Sequence, residues 1–260
     1  MNRIAFRNSL VILLAAAMAS VSCNSASQIP VMGDHTVYEV NMEELSGLSF
    51  NQDRTALLAC GDKGTVKEVS FEGEILKDIW TKRSDVEGIT VNPSTGDIYI
   101  AVERAQEIHR LSGETESEPV ITVQEAAEGR FGNDGLEAVE FYKDDMVFVG
   151  SQRGSNLWTY NLNGEMISKI SLSSFASEIA GLYYDPETDL LWVTDSEMFK
   201  IFLCTTEGEL LATYDVPFIE NAESICVDRA RDCVWVGSDE DFSKIYKIDF
   251  KFKGPRALLP

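Results

Sequence analysis

The chain has 260 residues, of which 43 are acidic, 22 basic, 5 cysteine and only 2 histidine. A hydrophobic content of 44% with 10% aromatic residues is typical of a globular protein and excludes general disorder. The net charge of −21 argues against nucleic acid as a partner, because binding a phosphate backbone requires basic residues that replace its counterions. The shortage of histidine leaves little room for imidazole-based acid–base catalysis.

The N-terminus has the pattern of an export signal. A basic start precedes an apolar run over residues 10–21, and small residues lead up to Cys23. At about 1.5 Å per residue, this run is too short to cross a hydrocarbon layer of roughly 30 Å. Ser20-Val21-Ser22-Cys23 resembles a bacterial lipobox, although Ser20 stands where that motif usually carries Leu. We therefore predict a lipoprotein signal peptide over residues 1–22, with an ordinary cleaved signal peptide as the alternative.

If the lipobox is used, Cys23 is the lipidated first residue of the mature chain, and residues 23–35 form a flexible tether. Two or three acyl chains anchor a protein firmly, because each buried CH₂ contributes about 0.8 kcal/mol. The predicted location is the bacterial cell envelope, facing the periplasm or the exterior, with membrane contact through the lipid alone.

The chain contains five internal repeats. Each repeat starts with a short apolar segment, and the second positions of these segments are 46, 87, 137, 180 and 223. The five segments are Leu45-Ser46-Gly47-Leu48-Ser49-Phe50, Val86-Glu87-Gly88-Ile89-Thr90-Val91, Leu136-Glu137-Ala138-Val139-Glu140-Phe141, Ile179-Ala180-Gly181-Leu182-Tyr183-Tyr184 and Ala222-Glu223-Ser224-Ile225-Cys226-Val227. Each is followed by a turn and a second apolar strand. Three of the five repeats also contain a later turn at a Gly-Glu pair, and short strands separated by such turns are typical of antiparallel β-structure.

A repeat of about 43 residues with four strands predicts a blade of a β-propeller. We expect an all-β, five-bladed propeller over residues 36–260, with antiparallel blades of four strands. The fifth repeat supplies only three strands, whereas residues 35–40 form a lone strand before the first repeat. The N-terminal strand is therefore expected to complete the last blade and to leave no open edge. Trp192 and Trp235 are expected to pack between blades.

The second position of the first strand lies at one mouth of the central channel in every blade. This first column is Ser46, Glu87, Glu137, Ala180 and Glu223. The end of the second strand reaches the same mouth, and this second column is Gly61, Glu103, Gln152, Ser196 and Asp239. Carboxylates about 5 Å apart repel by roughly 3 kcal/mol per pair at an effective dielectric constant of 20. A calcium ion would compensate, since it accepts 6–8 oxygen ligands and tolerates irregular geometry.

Two alternatives to calcium remain open at this mouth. Arg104 and Arg153 directly follow the second column and could form a salt-bridge network with the glutamates. The glutamates could also be solvated without any partner.

The remaining cysteines are Cys60, Cys204, Cys226 and Cys233. Their spacing forms no zinc pattern, and they fall in apolar strand-like segments. A disulfide between Cys226 and Cys233 is conceivable in an oxidising compartment, whereas buried thiols that act as small apolar side chains are the alternative.

At this point the repeats resemble the SdiA-regulated, YjiK-like proteins. The motifs that carry the resemblance are Leu45-Ser46-Gly47-Leu48, Asp85-Val86-Glu87-Gly88-Ile89, Val102-Glu103-Arg104, Gly135-Leu136-Glu137-Ala138-Val139, Ala222-Glu223-Ser224-Ile225 and Ser238-Asp239. The resemblance implies a five-bladed propeller with a calcium ion, and the family's recurrent glutamates fall on Glu87, Glu137 and Glu223. Asp239 keeps the acidic character of its column, whereas Gln152 and Ser196 depart from it.

The leading hypothesis is a lipid-anchored, monomeric, calcium-binding propeller that acts as a binding or scaffold module. Its metal ligands would be Glu87, Glu137 and Glu223, helped by Asp239 or Glu103, and its small-molecule or protein ligand would lie at the channel mouth. The second hypothesis is a calcium-dependent hydrolase of the lactonase or phosphoesterase type, in which the carboxylate of Glu103 would be available as the base. A third is a protein-interaction ring without metal, which requires arginines to neutralise the glutamates.

Overall fold

The computed structural model, which describes residues 32–82, 85–123, 135–143, 145–240 and 242–252, contains five antiparallel sheets of four strands, one for each repeat. The signal peptide and Cys23 lie outside the described residues. Within the described part of the chain, two short 3-10 helices occur, at Arg153–Ser155 and Arg229–Arg231. No helix there is long and apolar enough to cross a membrane.

The strands follow one another in chain order and fill one blade after the next. Strand β1 (His35–Glu39) precedes the first repeat. The first blade contains β2 (Leu45–Phe50), β3 (Leu57–Gly61), β4 (Thr65–Val69) and β5 (Ile75–Thr81). The second contains β6 (Val86–Val91), β7 (Ile98–Val102), β8 (Glu107–Leu111) and β9 (Ser117–Thr122). The third contains β10 (Leu136–Phe141), β11 (Met146–Ser151), β12 (Asn156–Asn161) and β13 (Met166–Ser171).

The fourth blade contains β14 (Gly181–Asp185), β15 (Leu190–Asp195), β16 (Lys200–Thr205) and β17 (Leu210–Asp215). The fifth contains β18 (Ala222–Asp228), β19 (Cys233–Ser238) and β20 (Lys244–Asp249). The first strands of neighbouring blades contact one another all round, including β18 with β2, so the blades form a closed ring. The predicted five-bladed propeller is confirmed.

The N-terminal strand completes the fifth blade, as predicted. The sheet order is β1-β20-β19-β18, and β1 pairs antiparallel with β20 from His35 opposite Ile248 to Glu39 opposite Lys244. The edge of β20 is therefore covered, which protects its backbone groups from pairing with another chain. The residues just before β1 also pack on the ring, because Met32 is 4% exposed and its N–H donates to the carbonyl oxygen of Asp215 at 3.2 Å.

Glycines in the left-handed region make the turns between third and fourth strands. Gly73, Gly164 and Gly208 have φ of +84°, +85° and +85°, a conformation that costs other residues energy because of their Cβ. In each case the strand pairing shifts by one residue beside the turn, as expected for a glycine bulge. The three Gly-Glu pairs of the repeats therefore fix the direction of the outermost strands.

The core lies between the blades and is built from the second strands. The aligned residues of these strands are at most 4% exposed and are Leu57, Tyr99, Phe148, Trp192 and Trp235. Trp235 of the fifth blade stacks on Phe71 of the first blade, with ring centroids 5.1 Å apart. Removing a tryptophan side chain from such a site typically costs about 3–5 kcal/mol. These contacts show that tryptophans pack between blades, as expected.

The four described cysteines are buried free thiols. In the β18–β19 ladder, Cys226 lies opposite Trp235 and Cys233 lies opposite Asp228, so the two cysteines are not direct cross-strand partners. Burial raises the pKa of both thiols. Of the two alternatives drawn from the sequence, the structure supports buried thiols that pack as small apolar groups, and not a disulfide between Cys226 and Cys233.

Candidate metal centre

All five acids that the sequence predicts as metal ligands line one cavity of about 260 Å³ at a mouth of the channel. Its lining includes Glu87, Glu103, Glu137, Glu223 and Asp239. The same wall carries further polar residues, which are Glu44, Ser46, Asp62, Asp85, Arg104 and Gln152. The two columns deduced from the repeats therefore meet at one mouth.

A β-bulge presents the first-column residue to the channel in four of the five blades. The pairing of β6 with β7 joins Val86 to Val102 and Gly88 to Ala101, which leaves Glu87 without a direct partner. The same one-residue shift leaves Glu137 and Glu223 unpaired in their blades, and Ser46 in the first. A bulge bends its strand and changes the direction of one side chain, which explains why the acids converge.

The residue after the first-column position is small because the first strands approach each other closely. A Cβ on Gly88 would lie 2.8 Å from both the carbonyl oxygen of Glu137 and the N–H nitrogen of Val139. A Cβ on Gly181 would lie 2.6 Å from the carbonyl oxygen of Glu223. Only a residue without a side chain permits these distances, so glycine helps to set the spacing of the acidic ring.

Burial raises the pKa values of the carboxylates at this mouth, and their crowding adds to the rise. Removal from water raises the pKa of Glu137 to about 10, and the charges of Glu87 and Glu103 contribute to the rise. Burial likewise raises the pKa of Glu87 to about 8 and that of Glu223 to about 7. Burial also raises the pKa of Glu103. Without a cation, these groups lose part of their charge near neutral pH.

Arg104 pairs with an aspartate at the rim of the cavity. Its Nε atom lies 3.0 Å from Oδ2 of Asp85, and its side chain is 75% exposed. Its backbone N–H donates to the same oxygen at 3.2 Å. Among the residues that the structure describes, Arg104 has no other ion pair within 4.0 Å. The guanidinium therefore does not neutralise the glutamates of the first column by direct contact.

Two aspartates that the sequence analysis did not select belong to the same cavity. One carboxylate oxygen each of Asp62, Asp85 and Glu87 lie within 4.8 Å of one another. Asp62 directly follows the second-column residue Gly61, and Asp85 precedes the first strand of the second blade. The sequence feature that could have identified these two aspartates is their position next to the two columns. Lys63 also reaches this region, where it pairs with Glu44 and lies 3.4 Å from Asp62.

The fourth blade supplies its acid from outside the two columns. Ala180 occupies the first column there, but Glu178, two residues earlier, is 2% exposed. Its carboxylate accepts hydrogen bonds from the backbone N–H groups of Ser196 and Glu197 at 3.0 and 3.1 Å. It also contributes to the raised pKa values of Glu137 and Glu223. The charge of Glu178 therefore acts on the glutamates of the ring, although Glu178 is not among the residues that line the cavity.

The donor set suits a hard divalent cation. Carboxylates from several blades line one cavity, and the charges of neighbouring acids add to the effect of burial in raising the pKa of Glu137. Calcium takes 6–8 oxygen ligands at about 2.3–2.6 Å and accepts irregular geometry. Among the described residues, Asp62, Asp85 and Glu87 form the group whose carboxylate oxygens lie within 4.8 Å of one another. Glu103, Glu137, Glu223 and Asp239 line the same cavity and offer further oxygen donors.

Both histidines lie away from this mouth. His35 in β1 stacks on Phe218, with ring centroids 4.1 Å apart. His109 in β8 bonds to Glu107 at 2.8 Å and to Ser117 at 3.1 Å. Neither imidazole lines the acidic cavity.

Solved structures with the same fold have low sequence identity to this chain. A gluconolactonase from Xanthomonas campestris aligns with a TM-score of 0.55 and 9% identity, over 84% of this chain and 91% of that chain. A hydrazine synthase chain of Kuenenia stuttgartiensis aligns with a TM-score of 0.50 and 10% identity, over 76% of this chain. This chain covers 56% of that longer protein. These likenesses show the fold alone.

No curated protein sequence matches the chain significantly. The family model described as SdiA-regulated matches residues 28–153 and 155–255, which is most of the sequence and agrees with the motifs found in the repeats. The chain belongs to the SdiA-regulated family of β-propeller proteins.

Proposed function

We propose that this protein is a calcium-binding propeller of the bacterial envelope that acts as a binding or scaffold module. The observation that carries the proposal is the convergence of glutamates from three blades on one cavity, each placed there by a β-bulge. Such a ring costs folding free energy unless a cation neutralises it. Calcium would then stabilise the ring and join three blades at the channel mouth.

Glu87, Glu137 and Glu223 would be the principal ligands, and Glu103 and Asp239 would add oxygens from the second strands. Asp62 and Asp85 extend the acidic surface on the side of Glu87. The whole cavity measures about 260 Å³, and the space beside a bound ion could hold a small ligand or the tip of a protein loop at the same mouth.

Isothermal titration calorimetry tests the metal. Protein stripped with a chelator and dialysed should take up one Ca²⁺ per chain, and Mg²⁺ should bind more weakly because it requires regular octahedral geometry. Absence of heat and of stoichiometric uptake at millimolar calcium would refute the proposed site. Glu118→Gln serves as a control, since this exposed glutamate of β9 pairs with Arg110 far from the mouth.

The envelope location rests on the lipobox-like sequence before Cys23. Met32 is packed on the ring, and nine residues span at most about 30 Å when extended, so lipidation of Cys23 would hold the propeller close to the membrane surface. Cys23→Ser should convert a detergent-extracted protein into one found in the soluble envelope fraction. A wild-type protein that is already soluble after export would contradict the lipid anchor, without bearing on the calcium site.

A second candidate function is hydrolysis of a lactone or phosphoester. The specific observation is Glu103, which lines the metal cavity, accepts a hydrogen bond from the Gly135 N–H at 3.0 Å and has a pKa raised by burial. Such a carboxylate can accept a proton from an attacking water near neutral pH, while calcium supplies electrophilic assistance. A screen of lactones and phosphoesters with and without calcium tests this function. Turnover that depends on calcium and is lost in Glu103→Gln would favour it over a binding module.

A further inference from the structure

The opposite mouth of the channel contains a second pocket of different chemistry. Its volume is about 470 Å³, which lies in the range of small-molecule sites. Five aromatic residues line it, and they are Phe50, Phe141, Tyr142, Tyr183 and Tyr184. One carboxylate, that of Glu140, lines the same pocket and is 8% exposed.

An apolar layer separates this aromatic pocket from the acidic mouth. The first strands contribute Leu48, Ile89, Val139 and Leu182 at mid-channel, and each is at most 5% exposed. The space that remains between them is about 10 Å³, roughly the room for one water molecule. A ligand in the aromatic pocket therefore cannot reach the acids at the other end, and the two sites are chemically independent.

Glu140 is a buried carboxylate that forms no ion pair within the described part of the chain. Its Oε2 accepts from the Thr90 hydroxyl at 3.1 Å, and its Oε1 accepts from the Tyr184 N–H at 3.1 Å. Both donors are neutral. Within the described part of the chain, no lysine or arginine nitrogen lies within 4.0 Å of it. A carboxylate removed from water in this way normally has a counter-charge.

The two cations that line this pocket are bonded to other groups. The guanidinium of Arg54 donates to the Tyr183 hydroxyl at 3.2 Å and to the Val227 carbonyl at 3.0 Å, and it lies 3.8 Å above the Phe50 ring. Lys143 pairs with Asp189 at 3.2 Å. Both side chains frame the pocket, but neither closes on Glu140, so the carboxylate faces a cavity that an external cation can enter.

We infer that this pocket binds a primary amine attached to a flat aromatic ring. The ammonium group would donate to Glu140 and supply the missing positive charge, while the ring would pack on the aromatic walls. A bare metal ion does not fit, because a single carboxylate among aromatic rings cannot provide six or more oxygens.

Tryptamine and tryptophol test this inference, because the two molecules share the indole ring and differ in carrying an ammonium or a hydroxyl group. Titrations are made by calorimetry on the wild-type protein in saturating calcium, so that the amine does not compete at the acidic mouth. Tryptamine should bind at least tenfold more tightly than tryptophol. Glu140→Gln should abolish this difference, whereas Asp195→Asn should preserve it, since Asp195 is an equally buried carboxylate with neutral donors outside the pocket.

An NMR titration of the wild-type protein does not depend on the folding of the variants. Tryptamine should shift the backbone N–H signal of Tyr184, which donates a hydrogen bond to Glu140, and that of Phe141, which follows Glu140 in the chain. Equal affinity for tryptamine and tryptophol overturns the inference. Shifts confined to residues of the acidic mouth overturn it as well. Either result leaves the calcium proposal intact, because that site is tested by metal uptake.

Discussion

Gly88 and Glu137 belong to neighbouring blades, and a methyl group on Gly88 would lie 2.8 Å from the carbonyl oxygen of Glu137. Real Cβ atoms do not approach oxygen so closely, so Gly88→Ala must push the first strands of two blades apart. We expect a loss of about 1–3 kcal/mol in the free energy of unfolding, as for other overpacked sites. Calcium affinity should fall about tenfold or more, because the bulges that carry Glu87 and Glu137 separate. Thermal unfolding and calorimetry measure the two effects.

Ser224→Ala is the matched control for this substitution. Ser224 occupies the position after the bulge in the fifth blade and is 4% exposed, and its hydroxyl is a buried group with no hydrogen-bond partner among the described residues. Replacing it with alanine removes an unsatisfied polar atom and adds no volume, so stability and calcium affinity should stay near the wild-type values. If Gly88→Ala behaves like this control, close strand approach does not set the ring geometry.

Calcium removal should destabilise the protein, and Glu137→Gln should remove most of this sensitivity. Binding to the folded state alone stabilises by roughly 2.7 kcal/mol at a calcium concentration one hundred times Kd. Glu137 is surrounded by acids and its pKa is raised to about 10, so the neutral glutamine should fold at least as well without metal. The measurement is the shift in Tm on adding a chelator. An unchanged shift in the Glu137→Gln variant would remove Glu137 from the ligand set.

The repeat pattern was sufficient to predict the ring, but not the shape of its mouth. Apolar strands at steps of about 43 residues, and the lone strand before the first repeat, allow one closed arrangement. The bulges at Glu87, Glu137 and Glu223 were not predictable, because the apolar alternation does not show where a ladder shifts by one residue. Glu178 influences the ring from outside the columns, and its position depends on the segment before β14 bonding to the residues after β15.

The aromatic pocket could not be predicted from the sequence either. Glu140 is one of two glutamates in the otherwise apolar strand β10, and an exposed position would have explained it equally well. Its burial results from Thr90 in the second blade and Tyr184 in the fourth, which bond to it from both sides. In these two contacts the bonded residues are separated by 50 and by 44 positions in the sequence, and only the assembled ring brings them together.

Ring closure by β1 can be tested with two truncations. Deleting residues 24–40 removes the strand that pairs with β20 from His35 to Glu39, whereas deleting residues 24–31 leaves both that strand and Met32 in place. The longer deletion loses a ladder of backbone hydrogen bonds worth about 0.5–1.5 kcal/mol each, so its Tm should fall by about 10 °C or more. The shorter deletion should unfold like the intact chain. Equal melting temperatures for the two truncations would mean that β1 adds no stability to the fifth blade.

The buried carboxylate of Glu140 should make stability decrease with pH. Burial raises its pKa from 4.5 to about 8 in the folded protein, whereas the unfolded chain releases the proton near the ordinary value. Its full contribution is therefore present below about pH 4.5 and is lost as pH rises through 8, because the unfolded state then binds fewer protons than the folded state. Between these limits the free energy of unfolding should fall by up to about 1.4 kcal/mol per pH unit from this group.

The measurement is denaturant unfolding of wild type and Glu140→Gln at several pH values in saturating calcium, which keeps the acidic mouth ionised throughout. Glutamine does not titrate, so the difference in stability between variant and wild type should shift in favour of the variant between pH 5 and 8. Saturating tryptamine should flatten the wild-type curve, because an ammonium beside Glu140 favours the ionised carboxylate and lowers its pKa. Parallel pH profiles for the two proteins would show that Glu140 is ionised throughout and has a counter-charge within the protein.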